Sequence, residues 1–185
     1  MSLEGKVALI TGAGQGLGQA LAMGFAKEGY TVVAIARTKG GTSASPEDSL
    51  EETVSRIINA SGKAVGMTCD ITSDKAVEAL MEKVATEIGP VDVLINDIGP
   101  LSPQSADQLD TEDPDTEVDV GHWDAGMAKS ILGQFLMCRY VLPLMMQRGA
   151  GSMINLISPK AVIDEAENLA YASTREGLEL VTIKT

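Results

Sequence analysis

Glycines are concentrated near the N-terminus, at a position where they could bind a phosphate. Residues 11–18, with the sequence TGAGQGLG, stand between a predicted strand and a predicted helix. Glycines permit a tight backbone turn and the close approach of a pyrophosphate, and the start of the helix directs free N–H groups at the anion. This glycine-rich turn therefore predicts a dinucleotide site, with a turn that binds nothing as the alternative. The predicted contacts are Gly12, Gly14, Gln15, Gly16, Leu17 and Gly18.

Cations follow the second predicted strand. Ala36 ends that strand, and Arg37, Thr38 and Lys39 come next. In a dinucleotide-binding fold this point meets the adenosine ribose, where a carboxylate would bind the 2′-hydroxyl and repel a 2′-phosphate. Two cations and a hydroxyl group suit a phosphate dianion instead. The position therefore favours a 2′-phosphate, with exposed cations that merely solvate a loop as the alternative.

Strands and helices must alternate to bring these segments to one edge of a sheet. Short apolar or β-branched runs predict five strands, and apolar residues spaced three and four apart predict helices between them. This order implies an α/β fold, a Rossmann-like doubly wound parallel sheet in three α/β/α layers. No repeat or linker divides the chain, so we expect residues 1–185 to form a single dinucleotide-binding domain. The predicted strands cover residues 6–11, 31–36, 64–69, 91–95 and 152–157.

The predicted helices include two long segments in the second half of the chain. One covers about residues 123–146, and the last begins near Ala170. Earlier, Ser45 is expected to cap the second helix, because serine is a good N-cap and Pro46 suits the first helical position. Residues 100–121 hold seven acids and no Lys or Arg, which predicts a surface loop that either covers a substrate or has no task.

Composition excludes several classes of function. The chain has 14 Lys and Arg against 26 Asp and Glu, a net charge of −12. So acidic a chain is not expected to bind nucleic acid or an anionic membrane surface. No apolar run approaches the length of a membrane span or of a signal-peptide core. Cys69 and Cys138 lack metal-ligand spacing, so we expect buried free thiols, no metal site and a cytoplasmic location.

The glycine spacing resembles that of the short-chain dehydrogenase/reductase family. Its pattern is Thr-Gly, three residues, Gly, one residue, Gly. Further motifs for cofactor binding follow along essentially the whole chain. Asp70, followed by Ile71, resembles the family's adenine-contacting acid. Residues 96–99 (NDIG) resemble its Asn-Asn-Ala-Gly segment, with Asn96 and Gly99 retained. The resemblance implies NADP(H), because Ala36 is followed by Arg37, although many NADP-dependent relatives carry a cation where this chain has Gln15.

The same resemblance implies a catalytic group. Ser158 stands where the family places its catalytic serine, and Tyr171 follows thirteen positions later. The implied reaction is hydride transfer between the nicotinamide and a carbonyl or alcohol carbon of a small organic substrate, with Tyr171 giving or taking the hydroxyl proton. A free tyrosine has a pKa of about 10, so a nearby cation must stabilise its phenolate. The family uses a lysine four positions after the tyrosine, and this chain has Arg175. Ser130 replaces the family's active-site asparagine.

Two functions remain open from the sequence. One is an NADP(H)-dependent carbonyl reductase or alcohol dehydrogenase that uses Ser158, Tyr171 and Arg175. The other is a catalytically weak or inactive NADP(H)-binding subunit, which Arg175, Ser130 and the short C-terminus favour, because arginine is planar and cannot pass on a proton. Relatives continue beyond the tyrosine helix, so we expect the last strands and the substrate lid to be missing from these 185 residues. The resemblance also implies a homodimer or homotetramer, because the two long C-terminal helices pack across a two-fold axis in relatives.

Overall fold

The structure is a computed structural model in which a five-stranded parallel sheet forms the centre. It describes residues 3–39, 48–97, 124, 127–157, 173–174, 177–179 and 181–182, with only the backbone of Lys129 and Ser130. The strand order is β3-β2-β1-β4-β5, and every neighbouring pair is parallel. This order confirms the predicted fold class. The strands are β1 (Val7–Thr11), β2 (Thr31–Ala36), β3 (Lys63–Thr68), β4 (Val91–Asn96) and β5 (Ser152–Asn155).

Helices cover both faces of the sheet and make the three layers. Successive side chains of a strand point to opposite faces. Accordingly Val7 and Leu9 of β1 belong to one apolar cluster, whereas Ala8 and Ile10 belong to the other. The first cluster includes residues of α3 and α4, and the second includes residues of α1 and α2. The helices are α1 (Gly16–Lys27), α2 (Leu50–Asn59), α3 (Asp74–Glu87) and α4 (Gly133–Arg148).

The central strands are almost continuously apolar because both faces are covered. All five residues of β1 are buried, which explains why its sequence VALIT shows no alternation with polar residues. The strand at the far edge differs: β5 alternates between exposed and half-buried residues, and Ile154 keeps 42% of its surface exposed. Residues 173–174, 177–179 and 181–182 are helical, and the hydroxyl of Thr182 accepts a hydrogen bond from the Asn155 amide of β5 at 2.9 Å.

The start of α2 corrects one expectation. The helix begins at Leu50, and the hydroxyl of Ser49 accepts the backbone N–H of Glu52 at 3.0 Å. Ser49 and Glu52 have the spacing of a capping box, so the cap is at Ser49 and not at Ser45 as predicted. Leu50 is 2% exposed, so the helix starts where its buried stripe begins. Ser45 and Pro46 lie outside the described residues.

The long helix predicted over residues 123–146 is not uniformly α-helical, although Asp124 and Met127 near its start are. Residues Ala128–Leu132 form a π-helical segment that continues directly into α4. The helix ends at Arg148, where Gly149 adopts a left-handed conformation with φ of 64°. Cys69 and Cys138 are free and buried, as predicted. Among the described residues, no helix is long and apolar enough to cross a bilayer.

Candidate cofactor site

The glycine-rich turn lies at the point where the strand order reverses. Within the sheet, β2 and β3 lie on one side of β1. The chain then returns past β1, so that β4 and β5 lie on its other side. In open α/β sheets the crevice at this switch point, at the carboxyl ends of the strands, is where ligands bind. The turn follows β1 directly, so the fold places it at this crevice.

Three glycines of the turn are required by geometry. Gly12 and Gly16 have φ of 68° and 55°, in the left-handed region that side chains disfavour. A Cβ at Gly12 would also overlap the carbonyl oxygen of Asp97. At Gly18 a Cβ would overlap the carbonyl oxygen of Gly12 and come within 2.9 Å of the Asp97 carboxylate. The turn is therefore packed tightly against the end of β4, whereas no described atom lies within 4 Å of a Cβ placed on Gly16.

The N-terminus of α1 receives no cap from its own N-cap residue. Gln15 occupies the N-cap position without capping, and the first turn contains no acid. By contrast, Ser49 caps α2 and Ser73 caps α3 through hydrogen bonds to backbone N–H groups. The first N–H groups of a helix have no acceptor within the helix, and together with its dipole they attract an anion. The start of α1 is thus suited to a pyrophosphate.

Asn96 and Asp97 form the wall of the crevice opposite the turn. Asn96 is fully buried, and its amide donates to the side-chain oxygen of Asn155 at 2.9 Å, which ties β4 to β5. The backbone N–H of Asp97 donates to the hydroxyl of Thr11 at 3.1 Å. Its carboxylate accepts the backbone N–H of Gly18. Burial raises the pKa of Asp97, and the hydrogen bond from Gly18 opposes that shift.

The segments after β2 and β3 contain the residues that the sequence predicts for the adenosine end of a cofactor. Arg37, Thr38 and Lys39 are exposed there. The carbonyl oxygen of Lys39 accepts the backbone N–H of Leu50 at 3.1 Å, so the segment contacts the start of α2. The carboxylate of Asp70 accepts the Thr72 hydroxyl at 2.7 Å, and hydrogen bonds from Thr72, with a smaller effect of the Arg37 charge, lower its pKa. Ile71 is buried against Gly133.

A buried polar network behind the turn was not anticipated from the sequence. The hydroxyl of Thr53, on α2, is within hydrogen-bonding distance of the carbonyl oxygens of Ala13 and Ser49, at 2.8 and 2.9 Å. It also accepts the side-chain amide of Gln19 on α1 at 2.9 Å. The network joins the turn to both helices on that face. No short motif marks Thr53, which looks in the sequence like an ordinary helix residue between Glu52 and Val54.

The structure does not describe the side chains of the predicted catalytic residues. Ser158, Tyr171 and Arg175 lie outside the described residues, as does Gly99 of the cofactor motif. Ser130 lies in the π-helical segment, and only the backbone of Ser130 is described. In the part of the chain that is described, no group of three His, Cys, Asp or Glu residues could hold a metal ion.

Comparison with known proteins gives a consistent result. Residues 6–184 match the family model described as short chain dehydrogenase. D-threitol dehydrogenase of Mycolicibacterium smegmatis is 30% identical over 176 residues, which cover 95% of this chain and 61% of that protein. The 3-oxoacyl-acyl-carrier-protein reductase of Thermotoga maritima is 30% identical over 178 residues, which cover 96% and 65%. The chain thus spans less than two thirds of the length of these relatives.

Solved structures agree with the sequence relatives. A metagenomic short-chain oxidoreductase in complex with NADP superposes with a TM-score of 0.80 at 29% identity, covering 100% of this chain and 76% of that one. An actinorhodin polyketide ketoreductase variant with NADPH gives a TM-score of 0.76 at 29% identity, covering 94% and 60%.

Proposed function

The chain belongs to the short-chain dehydrogenase/reductase family, and from that premise we propose that it is an NADP(H)-dependent oxidoreductase. Its reaction is hydride transfer between the nicotinamide and a carbonyl or alcohol carbon of a small organic substrate. The observation that carries the proposal is the glycine-rich turn at the switch point, where the N-cap residue Gln15 does not cap α1 and the first turn of the helix contains no acid. Two solved relatives hold NADP and NADPH, which supports the choice of cofactor.

The preference for a 2′-phosphate rests on side chains at the end of β2. Ala36 replaces the acid that would repel the phosphate, and Arg37 and Lys39 are exposed beside it. The neighbouring N-terminus of α2 already has protein acceptors, because Leu50 and Glu51 donate to the carbonyl oxygen of Lys39. The phosphate would therefore be held by the Arg37 and Lys39 side chains rather than by that helix end. Arg37 can bind it with two parallel hydrogen bonds.

The catalytic roles are proposed from the family resemblance. NADP(H) supplies or accepts the hydride. In the direction of reduction, the Tyr171 hydroxyl donates its proton to the substrate oxygen, and the Ser158 hydroxyl donates a hydrogen bond to the same oxygen. The positive charge of Arg175 stabilises the phenolate that Tyr171 becomes, and its N–H groups hold the nicotinamide ribose. Ser130 stands where the family has its asparagine and lies in the π-helical segment beside α4.

We also propose that residues 1–185 form one dinucleotide-binding unit that associates as a homodimer or homotetramer in the cytoplasm. The apolar side chains of Leu132, Phe135 and Met146 are 41%, 42% and 70% exposed along the π-helical segment and α4. Ile131 also contacts the C-terminal helical residues, since its side chain lies against Gly177. This contact supports the proposal, because the resemblance implies that these two helices pack across a two-fold axis. Two free buried cysteines agree with a reducing compartment.

A cofactor titration combined with a turnover assay tests the proposal. NADPH should bind more tightly than NADH, and a panel of small ketones should reveal substrate-dependent oxidation of NADPH. A protein that binds NADPH but neither reduces any ketone nor, with NADP⁺, oxidises any alcohol would be assigned as the non-catalytic binding subunit. The named relatives, a dehydrogenase and a reductase, favour the enzyme. Failure to bind either cofactor would overturn both readings.

A further inference from the structure

The carboxylate of Asp97 lies at the N-terminus of α1, where the proposed function requires a positive potential for the cofactor pyrophosphate. The residue is 6% exposed, and its carboxylate accepts the backbone N–H of Gly18 in the first turn of α1. A Cβ on Gly18 would lie 2.9 Å from the Asp97 carboxylate oxygen, so the side chain is packed directly against that turn. One of the N–H groups at the start of α1 is therefore already bound to a protein acid.

The described segments of β1, the glycine-rich turn and β5 contain no ionisable side chain that offsets this charge. On α2, Arg56 contacts Gln19 at 3.5 Å, but it is ion-paired with Glu52. Residues 7–26, which include β1, the turn and most of α1, contain no ionisable side chain, and neither do residues 152–157. On β4 the other acid, Asp92, stands at the opposite end of the strand, and from α4 the thiol of Cys138 approaches Asn96 at 3.5 Å. Arg37 and Lys39 follow β2, which is separated from β4 by β1. Burial accordingly raises the pKa of Asp97.

The geometry points to Asp97 as a residue that weakens binding of the cofactor pyrophosphate and couples that binding to the uptake of a proton. This inference rests on the proposed function, since it assumes that a dinucleotide binds at the glycine-rich turn. A pyrophosphate held by the first N–H groups of α1 would share that helix end with the Asp97 carboxylate, and two neighbouring anions in a partly buried site repel each other. Protonation of Asp97 removes the repulsion, so the bound state favours the neutral acid.

The sign of the pH dependence follows from this coupling. Bound pyrophosphate raises the pKa of Asp97 further, so binding takes up protons wherever the free protein has Asp97 ionised. Affinity is then highest at low pH and falls as the pH rises through the range in which Asp97 loses its proton. The 2′-phosphate of the cofactor also takes up a proton at low pH, so a comparison with a variant that lacks the acid is required.

Calorimetric titration of the parent and of Asp97→Asn with NADP⁺ from about pH 5 to about pH 8 tests the inference. The amide keeps the shape of the side chain and removes its charge. We expect Asp97→Asn to bind about tenfold more tightly at the upper end of this range. The advantage should shrink toward the lower end, and proton uptake, measured in buffers of different ionisation enthalpy, should be larger for the parent. The titration of the cofactor is common to both proteins and cancels in the comparison.

Controls separate this effect from net charge and from the adenosine site. Glu87→Gln makes the same charge change on an exposed residue at the far end of α3, and its affinity should equal that of the parent. Adenosine 2′-monophosphate, which has no 5′-phosphate, should bind the parent and Asp97→Asn equally.

Equal affinity of the two proteins for NADP⁺ at every pH would overturn the inference and leave the proposed function intact. If neither protein binds NADP⁺ or NAD⁺, the proposed function fails, and this inference fails with it. If the melting curve shows that Asp97→Asn is unfolded, the proton uptake of the parent on binding NADP⁺ tests the coupling instead. No uptake beyond that of the 2′-phosphate would contradict the coupling.

Discussion

The hydroxyl of Thr53 lies 2.8 Å from the carbonyl oxygen of Ala13, although the two residues are 40 positions apart in the chain. This contact anchors the glycine-rich turn to α2, whose first residues in turn contact the segment that follows β2. The pyrophosphate end and the adenosine end of the proposed cofactor site are thus connected through one fully buried side chain.

Replacing Thr53 by valine should weaken both stability and cofactor binding. Valine keeps the volume but removes the hydroxyl, so the Ala13 carbonyl and the Gln19 amide each lose a partner. We expect a loss of about 1–3 kcal/mol in the free energy of unfolding, measured by urea denaturation. Thr53→Ser keeps the hydroxyl and should bind NADPH with nearly the affinity of the parent. A valine variant as stable as the parent, with unchanged affinity, would show that the network does not position the turn.

The choice between cofactors should depend on the end of β2. Arg37→Ala should weaken NADPH about tenfold or more, because a charge-assisted hydrogen bond to the 2′-phosphate is lost, and should leave NADH nearly unchanged. Ala36→Asp should favour NADH, because its carboxylate repels the phosphate and binds the 2′-hydroxyl. Fluorescence titration of each variant with NADPH and with NADH measures the two dissociation constants. Equal dissociation constants of the parent for NADPH and NADH would refute the assignment.

Two glycines of α1 should respond in opposite ways to alanine. Gly18→Ala introduces a methyl group that overlaps the carbonyl oxygen of Gly12, and we expect a loss of about 1–3 kcal/mol of stability and loss of NADPH binding. Gly24→Ala is the matched control, because no described atom lies within 4 Å of its Cβ. That variant should gain about 0.5–1 kcal/mol from the higher helix propensity of alanine. Thermal melts that show the two variants equally stable would contradict the packing of the turn.

Association should depend on the apolar side chains beside the π-helical segment. Phe135→Glu places a charge on a surface that a second copy would cover, and we expect it to lower the molecular mass seen by sedimentation at micromolar concentration. Met23→Glu, on an exposed position of α1 with a similar exposed fraction of 39%, should leave the mass unchanged. A parent protein that sediments as a monomer would argue against the proposed dimer or tetramer.

The fold and the turn could be predicted because their signals are local. The apolar run of β1, the glycines after it and the helical spacing of Leu17, Leu21 and Phe25 follow one another in the chain. The roles of Thr53 and Asp97 depend on contacts across the sheet and between helices, which no local pattern encodes. In the sequence, Asp97 differs from ordinary residues only as a departure from the family's Asn-Asn-Ala-Gly segment. Its contact with Gly18 depends on the register of β4 against β1.

Ketone-dependent oxidation of NADPH in three proteins tests whether Tyr171 and Arg175 support hydride transfer with NADP(H). We expect the parent to reduce ketones slowly, Tyr171→Phe to abolish that activity, and Arg175→Lys to raise it, because an ammonium fits more compactly between the tyrosine and the ribose. A tenfold gain corresponds to about 1.4 kcal/mol of added transition-state stabilisation. Parent activity that survives Tyr171→Phe unchanged, or NADPH binding without turnover in all three proteins, would contradict these roles.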